Sequence, residues 1–233
     1  MKVFKVFIGV PAYKWPMDIH TSTSIQGCMN HPGLDCELRA VIGDAHIERA
    51  RAMVLAEYLT CDIEFDYFLN VDWDIEFRAE DLYRACSRGK DCIGGPYTYK
   101  TEEEGKKANV VFRAAPDAVK TEDHLLEAYY LGGGFTLLSN KLIQDLVEHY
   151  DDELGFNLNP DLQKDKVRVP AVWNPILIER EDWGKGYREM LSEDYSLCER
   201  IRKIGYKCWL DLTIMLKHWD GPKCYVLDVE EQA

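Results

Sequence analysis

The chain has 233 residues and a formal net charge of -13, from 28 basic against 41 acidic side chains. That balance excludes a general binder of nucleic-acid backbones, whose affinity comes from Lys and Arg neutralising phosphates. It leaves room for one nucleotide held through a metal ion, because the cation brings its own positive charge. A hydrophobic fraction of 46% and an aromatic fraction of 12% exclude a disordered chain. No apolar run reaches the roughly 18 residues of a membrane span, so no transmembrane segment is expected. The length suits one α/β domain over residues 1–233. Eight cysteines are present and none forms a C-x-x-C pair. Reduced, structural thiols in a cytoplasmic setting are expected, with a Cys28–Cys36 bridge left open.

In chain order, Val3 to Val10 reads as a first strand rather than a signal peptide, since no small-residue cleavage site follows. Pro11-Ala12-Tyr13 then makes a turn. Cys36 to Ile42 is a second strand. Ile47 to Leu59 carries apolar residues at helical spacing. Tyr67 to Val71 is a third strand, Ala79 to Cys86 a short helix, and Cys92 to Gly94 a short strand that exits through Gly94-Gly95-Pro96-Tyr97. This alternation predicts a mixed, mainly parallel sheet flanked by helices, with right-handed crossovers.

The second half is less regular. Thr101 to Lys107 reads as a charged surface loop. Ala128 to Leu138 is apolar around Gly132-Gly133-Gly134. Ser139 then caps a helix bearing Leu142, Ile143, Leu146, Val147 and Tyr150. Residues 151–170 read as a polar loop and Ala171 to Ile178 as a strand. Ser192 opens a helix with Leu197, Cys198, Ile201 and Ile204 on one face, stopped by Gly205. Tyr206 to Leu210 and Ile214 to Leu216 are two further strands, and the second runs into Lys217-His218-Trp219.

The chemistry concentrates at Asp72-Trp73-Asp74. A buried strand has no packing reason to end in two acids. Side chains at i and i+2 of an extended segment share a face, so the expectation is that both carboxylates reach one hard divalent cation, or that one reaches it through water. The carboxyl edge of an open α/β sheet is also where ligands bind. Ser192-Glu193-Asp194 fits a helix start, since a Ser cap and two acids complement the helix dipole. It also fits a general base, if burial or a neighbouring acid raises its basicity. His218 is either a packed histidine or a metal ligand; with two carboxylates it completes a set that suits Mn2+. The triple glycine allows close backbone approach or positive φ.

Taken in order, these pieces resemble the GT-A fold glycosyltransferases, which use nucleotide-sugar donors. They are Val10-Pro11-Ala12-Tyr13, Glu48-Arg49-Ala50-Arg51, Tyr67 to Asp74, Ile93 to Tyr97, Gly132 to Phe135, Ser192-Glu193-Asp194-Tyr195, Gly205 to Asp211, and His218. The resemblance spans roughly residues 3–220 and departs at Ala52, where many members carry Asn after the arginine. It implies a nucleotide and metal half over about 1–100, an acceptor half over about 101–220 and a tail over 221–233. Asp72 and Asp74 match the D-x-D that holds Mn2+ or Mg2+ against the donor diphosphate. Asp74 is assigned the direct contact, and Asp72 a contact through water or toward the ribose. His218 matches the late histidine of that metal site. Asp194, with Glu193 beside it, matches the acid that deprotonates the acceptor hydroxyl in inverting members, although retention stays open. Pro11, Ala12, Tyr13 and Trp73 fall where the nucleoside sits, and Arg51 where a basic side chain approaches the nucleotide. Gly133 and Gly134 fall beside the sugar and acceptor. Residues 97–130 and 151–190 are expected to shape the acceptor side.

The resemblance therefore implies a metal-dependent transfer of a sugar from a UDP, GDP or dTDP donor to a hydroxyl of a glycan or glycoconjugate. Two rivals stand beside it. A sugar-phosphate nucleotidyltransferase shares the acids and cation, but the glycine-rich, basic triphosphate loop it needs after the first strand is missing from the sequence. A non-catalytic carbohydrate-binding module would use the tryptophans and acids around a structural cation.

Overall fold

Strand β1 (Phe4–Ala12) places Phe4, Val6, Ile8 and Val10 in one apolar cluster and Phe7 in another. Strand β3 (Tyr67–Val71) divides its side chains in the same way, Leu69 and Val71 opposite Phe68. Both faces of this sheet are therefore covered, and that is why its strands read as continuous apolar runs rather than alternating ones. The computed structural model describes residues 1–13, 17–100, 110–157, 168–180, 182 and 184–227.

One cluster lies under α2 (Ile47–Leu59), α4 (Asn140–Leu154) and α5 (Glu193–Lys203). The other lies under α1 (Ile19–Met29) and α3 (Ala79–Ser87). Between them, the remaining central strands are β2 (Leu34–Ile42), β5 (Cys92–Gly94), β6 (Phe112–Ala114), β7 (Leu125–Leu131), β8 (Phe135–Ser139) and β13 (Cys208–Asp211). Their order is β2-β1-β3-β8-β5-β13-β7-β6. Only β8 and β7 run against the other strands, so the sheet is mixed and mostly parallel, as the alternation of elements predicts. A small ribbon joins β4 (Ile75–Glu76) to β14 (Lys217–Asp220) and β15 (Lys223–Val226). Two hairpin-like pairs complete the set: β9 (Gly155–Asn157) with β10 (Arg168–Pro170), and β11 (Leu177–Glu179) with β12 (Arg188–Met190).

Several expectations change. Helix α1 has no apolar period to announce it. It buries Thr21 and Ser24 beside Ile25 and Cys28, and Ser24 is satisfied locally, its hydroxyl donating to the His20 carbonyl and accepting from Phe77 N–H. Strand β1 runs through Pro11 and Ala12, because a proline at a strand's end need not break pairing when its neighbour strand contributes the contacts. Ala171 to Ile178 is not one strand. Pro175 lacks an N–H, a turn precedes it, and Trp173 is buried there at 1% exposure. Of the expected polar loop, 151–154 finish α4, and 155–157 and 168–170 pair as β9 and β10. The rest of that loop and Thr101 to Lys107 lie outside the described residues. The strand expected at Ile214 to Leu216 begins three residues later, at Lys217. All eight cysteines are free, Cys28 and Cys36 included. Among the described residues no helix is long and apolar enough to cross a membrane.

Candidate active site

The acid pair sits where β3 leaves the sheet. The chain turns at once, with Ile75 N–H donating to the Asp72 carbonyl, and enters β4. Strand β14 pairs with β4 so that His218 lies opposite Ile75, and Trp219 N–H donates to the Asp74 carbonyl. This non-local register brings His218 to Asp74, with Nε2 at 3.6 Å from Oδ1. The other ring nitrogen, Nδ1, is 2.8 Å from the Thr98 carbonyl. A carbonyl oxygen can only accept, so Nδ1 carries a proton and Nε2 is the nitrogen turned toward the carboxylate. Asp74 is 8% exposed. Burial works to raise its carboxyl, but the facing His218 ring and the Lys100 ammonium outweigh this and hold it below the usual range.

Residues 73–74 form a turn, and the two carboxylates take different partners while lining one cavity. Asp72 points to Arg51, whose Nη2 donates to Oδ1 at 3.0 Å. The same guanidinium lies 3.5 Å from Glu193. Burial opposes charge on Arg51, yet Asp72, Glu193 and Asp194 together raise its pKa. Burial also pushes the Asp72 and Glu193 carboxyls upward, against the pull of Arg51. Arg51 is 2% exposed and stands as the counter-ion of these acids. Its Nε and Nη1, together with Asn70 Oδ1, are buried without hydrogen-bond partners among the described residues.

The triple glycine links these groups through its backbone. Gly133 N–H donates to Asp194 Oδ2 at 3.1 Å, and its carbonyl accepts from Asn70 at 2.6 Å. Gly134 N–H donates to the Tyr97 hydroxyl at 3.0 Å, and its carbonyl accepts from Asp72 N–H. None of the three glycines has positive φ. They are needed for close approach: a Cβ at Gly133 would lie 2.0 Å from Arg51 Nη1, and one at Gly132 would lie 2.4 Å from the Tyr97 hydroxyl. Gly133 and Gly134 are themselves buried. What approaches them closely is thus Arg51 and Tyr97, from below. Asp194 also accepts from Tyr195 N–H at 2.8 Å and from the exposed Ser192 hydroxyl.

A cavity of about 170 Å³ has Pro11, Tyr13, Asp72, Trp73, Asp74 and His218 in its lining. Ala12 is buried at 2% exposure and does not line it. Arg51, Gly133 and Asp194 line a separate inner space of about 10 Å³, room for one water. A larger groove of about 440 Å³ opens between α1 and α3, but it shares no residue with the acid-lined cavity. We place the candidate site at the smaller cavity, because the convergent acids and imidazole are there.

Sequence reasoning missed Asp44, Lys100, Thr98 and the role of Tyr97. Asp44 lines the cavity and is ion-paired to Arg49 at 2.6 Å. It had a visible signal, an acid just past the carboxyl end of a strand. Lys100 and Thr98 had none, since only the fold brings them to Asp74 and His218. Among the described residues no group of three His, Cys, Asp or Glu side chains is assembled to hold a metal ion. Asp74 and His218 still form a two-donor face, a hard oxygen and an imidazole nitrogen, whose chemistry fits Mn2+.

No family model matches the sequence, and no curated protein aligns with it significantly. Solved structures do match in shape. The crystal structure of A197 from STIV superposes with a TM-score of 0.52 at 12% identity, covering 96% of this chain and 94% of that one. GalNAc-T7, solved with UDP, GalNAc and Mn2+, superposes with a TM-score of 0.50 at 12% identity. That match covers 97% of this chain but 45% of the longer GalNAc-T7 chain. At such identity the likeness speaks for the fold alone. The chain has a nucleotide-sugar-transferase-like fold, a mixed α/β sheet flanked by helices.

Proposed function

We propose that this chain is a metal-dependent glycosyltransferase of the GT-A type, moving a sugar from a nucleoside-diphosphate donor to a hydroxyl of a glycan or glycoconjugate. The observation that carries the reading is the His218–Asp74 pair. An imidazole Nε2 held 3.6 Å from a buried carboxylate, with its other nitrogen pinned by a carbonyl, sets a nitrogen and an oxygen donor side by side for one cation. In this reading Asp74 and His218 hold Mn2+ or Mg2+. The ion would supply Lewis-acid stabilisation of charge on the leaving diphosphate. Pro11, Tyr13, Trp73 and Asp44 line the cavity in which the nucleoside would lie. A net charge of -13 raises no conflict, since no basic phosphate cradle is required.

Asp194 is the proposed base, with Glu193 its neighbour. The exposed Ser192 hydroxyl donates to Asp194 Oδ1, and an acceptor hydroxyl can replace it like for like. Arg51 keeps Asp72, Glu193 and Asp194 together in one place without touching the donor. General-base assistance of this kind is worth about 10²–10⁴-fold. Whether Asp194 leads to inversion depends on which face of the sugar it meets, and the carboxylate suits inversion.

The test is binding of UDP, GDP and dTDP with and without Mn2+, followed by slow hydrolysis of the matching sugar nucleotides. Asp74→Ala should remove metal-dependent binding while leaving the thermal unfolding transition in place. If no diphosphate binds more tightly with metal, or if Asp74→Ala binds as the parent does, the reading is wrong.

A further inference from the structure

The position in front of Asp74 is already taken by a positive charge of the chain's own. Lys100 Nζ lies 2.5 Å from Asp74 Oδ2, while Oδ1 faces His218. The Lys100 side chain is 25% exposed, and its ammonium sits 6.0 Å over the Trp73 ring. A carboxylate as buried as Asp74 is costly without a counter-charge. The lysine ammonium is a compact point charge on a flexible stem, able to fill that role and to leave it. We propose that Lys100 is a built-in stand-in for the divalent ion: it neutralises Asp74 while the site is empty and must leave Asp74 before an ion binds there. This rests on the reading of Asp74 and His218 as metal ligands.

Two consequences follow from the geometry. Metal affinity is set by a competition, so the apparent dissociation constant is weakened by the fraction of time Asp74 is free of Lys100. The stand-in also selects for charge. A monovalent ion gains no more Coulomb energy from Asp74 than the tethered ammonium does, whereas a divalent ion gains twice as much and can take the His218 Nε2 lone pair as well.

The experiment titrates Mn2+ alone into the full chain, following loss of the free-ion electron spin resonance signal. If Lys100 holds Asp74 about nine-tenths of the time, Lys100→Met and Lys100→Gln bind Mn2+ about tenfold more tightly than the parent. Lys100→Arg, which keeps a cation there, binds no more tightly. Lys217→Met removes the same charge from Glu76, its partner at 2.7 Å, and shifts affinity by less than about twofold. Parent binding with Lys100→Met and Lys100→Gln no tighter than Lys217→Met overturns the stand-in and leaves the metal site standing. Weaker binding by the Lys100 variants overturns it too. No Mn2+ binding by the parent or by any Lys100 variant overturns both the metal site and the stand-in.

Discussion

Arg51→Met is the most searching perturbation of this site. The guanidinium lies 3.0 Å from Asp72 and 3.5 Å from Glu193, and the Arg51 side chain is 3% exposed. At an effective dielectric of about 20, charges at those separations attract by about 5 kcal/mol each. Desolvation of the arginine takes back most of that sum, so the pair is a weak net stabiliser as it stands. Removing only the arginine leaves two carboxylates, each about a quarter exposed, facing one another and Asp194 with no counter-charge. Breaking a buried pair in this way costs about 3–5 kcal/mol, and the partial exposure of the acids places this case near the lower figure. The loss has a pH signature. Burial already raises the native Asp72 and Glu193 carboxyls, and an acid raised on folding costs stability only where it is ionised. The deficit of Arg51→Met should be largest at about pH 7 and shrink toward about pH 5, as the acids take up protons. Arg51→Met with Asp72→Asn should recover part of it. Urea unfolding of the parent, the two single variants and the double variant at both pH values measures all of this. Arg51→Met as stable as the parent, or with a deficit that does not change with pH, refutes the counter-ion role of Arg51.

Three further outcomes are expected. Gly133→Ala drives a methyl into the Arg51 guanidinium at 2.0 Å and should lower stability by about 1–3 kcal/mol, read as a lower urea midpoint; the same substitution made in Arg51→Met should cost less than it does in the parent. Tyr97→Phe strips the acceptor from the buried Gly134 N–H and should cost about 1–3 kcal/mol in the same assay, with donor binding weakened as the glycine segment shifts. Glu189 ties β12 to Arg113 on β6 at 2.9 Å and also bonds Arg180; these arginines hold its carboxyl below the usual range despite burial. A lowered carboxyl stabilises the fold above its unfolded value and loses that contribution as pH falls through the native one. Glu189→Gln should therefore be destabilising by about 1–2 kcal/mol near neutral pH, with the gap to the parent closing in acid thermal melts.

The site was partly legible before any fold was known. Asp72 and Asp74 stood out because a buried strand ended in charge, and the same local logic would have reached Asp44. Arg51 was legible as a residue of interest but not as to its direction. Helix periodicity puts it on the buried stripe with Ala50, Val54 and Leu55, which already favoured an inward side chain. The triple glycine was legible as a need for close approach, though not as to what approaches.

The sequence by itself determined the elements whose signal is local. Period and burial mark β1, β3, α2, α4 and α5, and the two covered faces of the sheet follow from continuous apolar strands. It could not mark α1, whose buried face is half hydroxyl, nor the break at Pro175 around Trp173. Tertiary structure alone decided the partners: His218 beside Asp74, Lys100 on Asp74, Arg51 between Asp72 and Glu193, and Gly133 under Asp194. The physical reason is register. Pattern along a chain says which side of an element is buried, whereas which charges meet depends on how distant strands such as β4 and β14 align, and one residue of slip would send His218 to the other face.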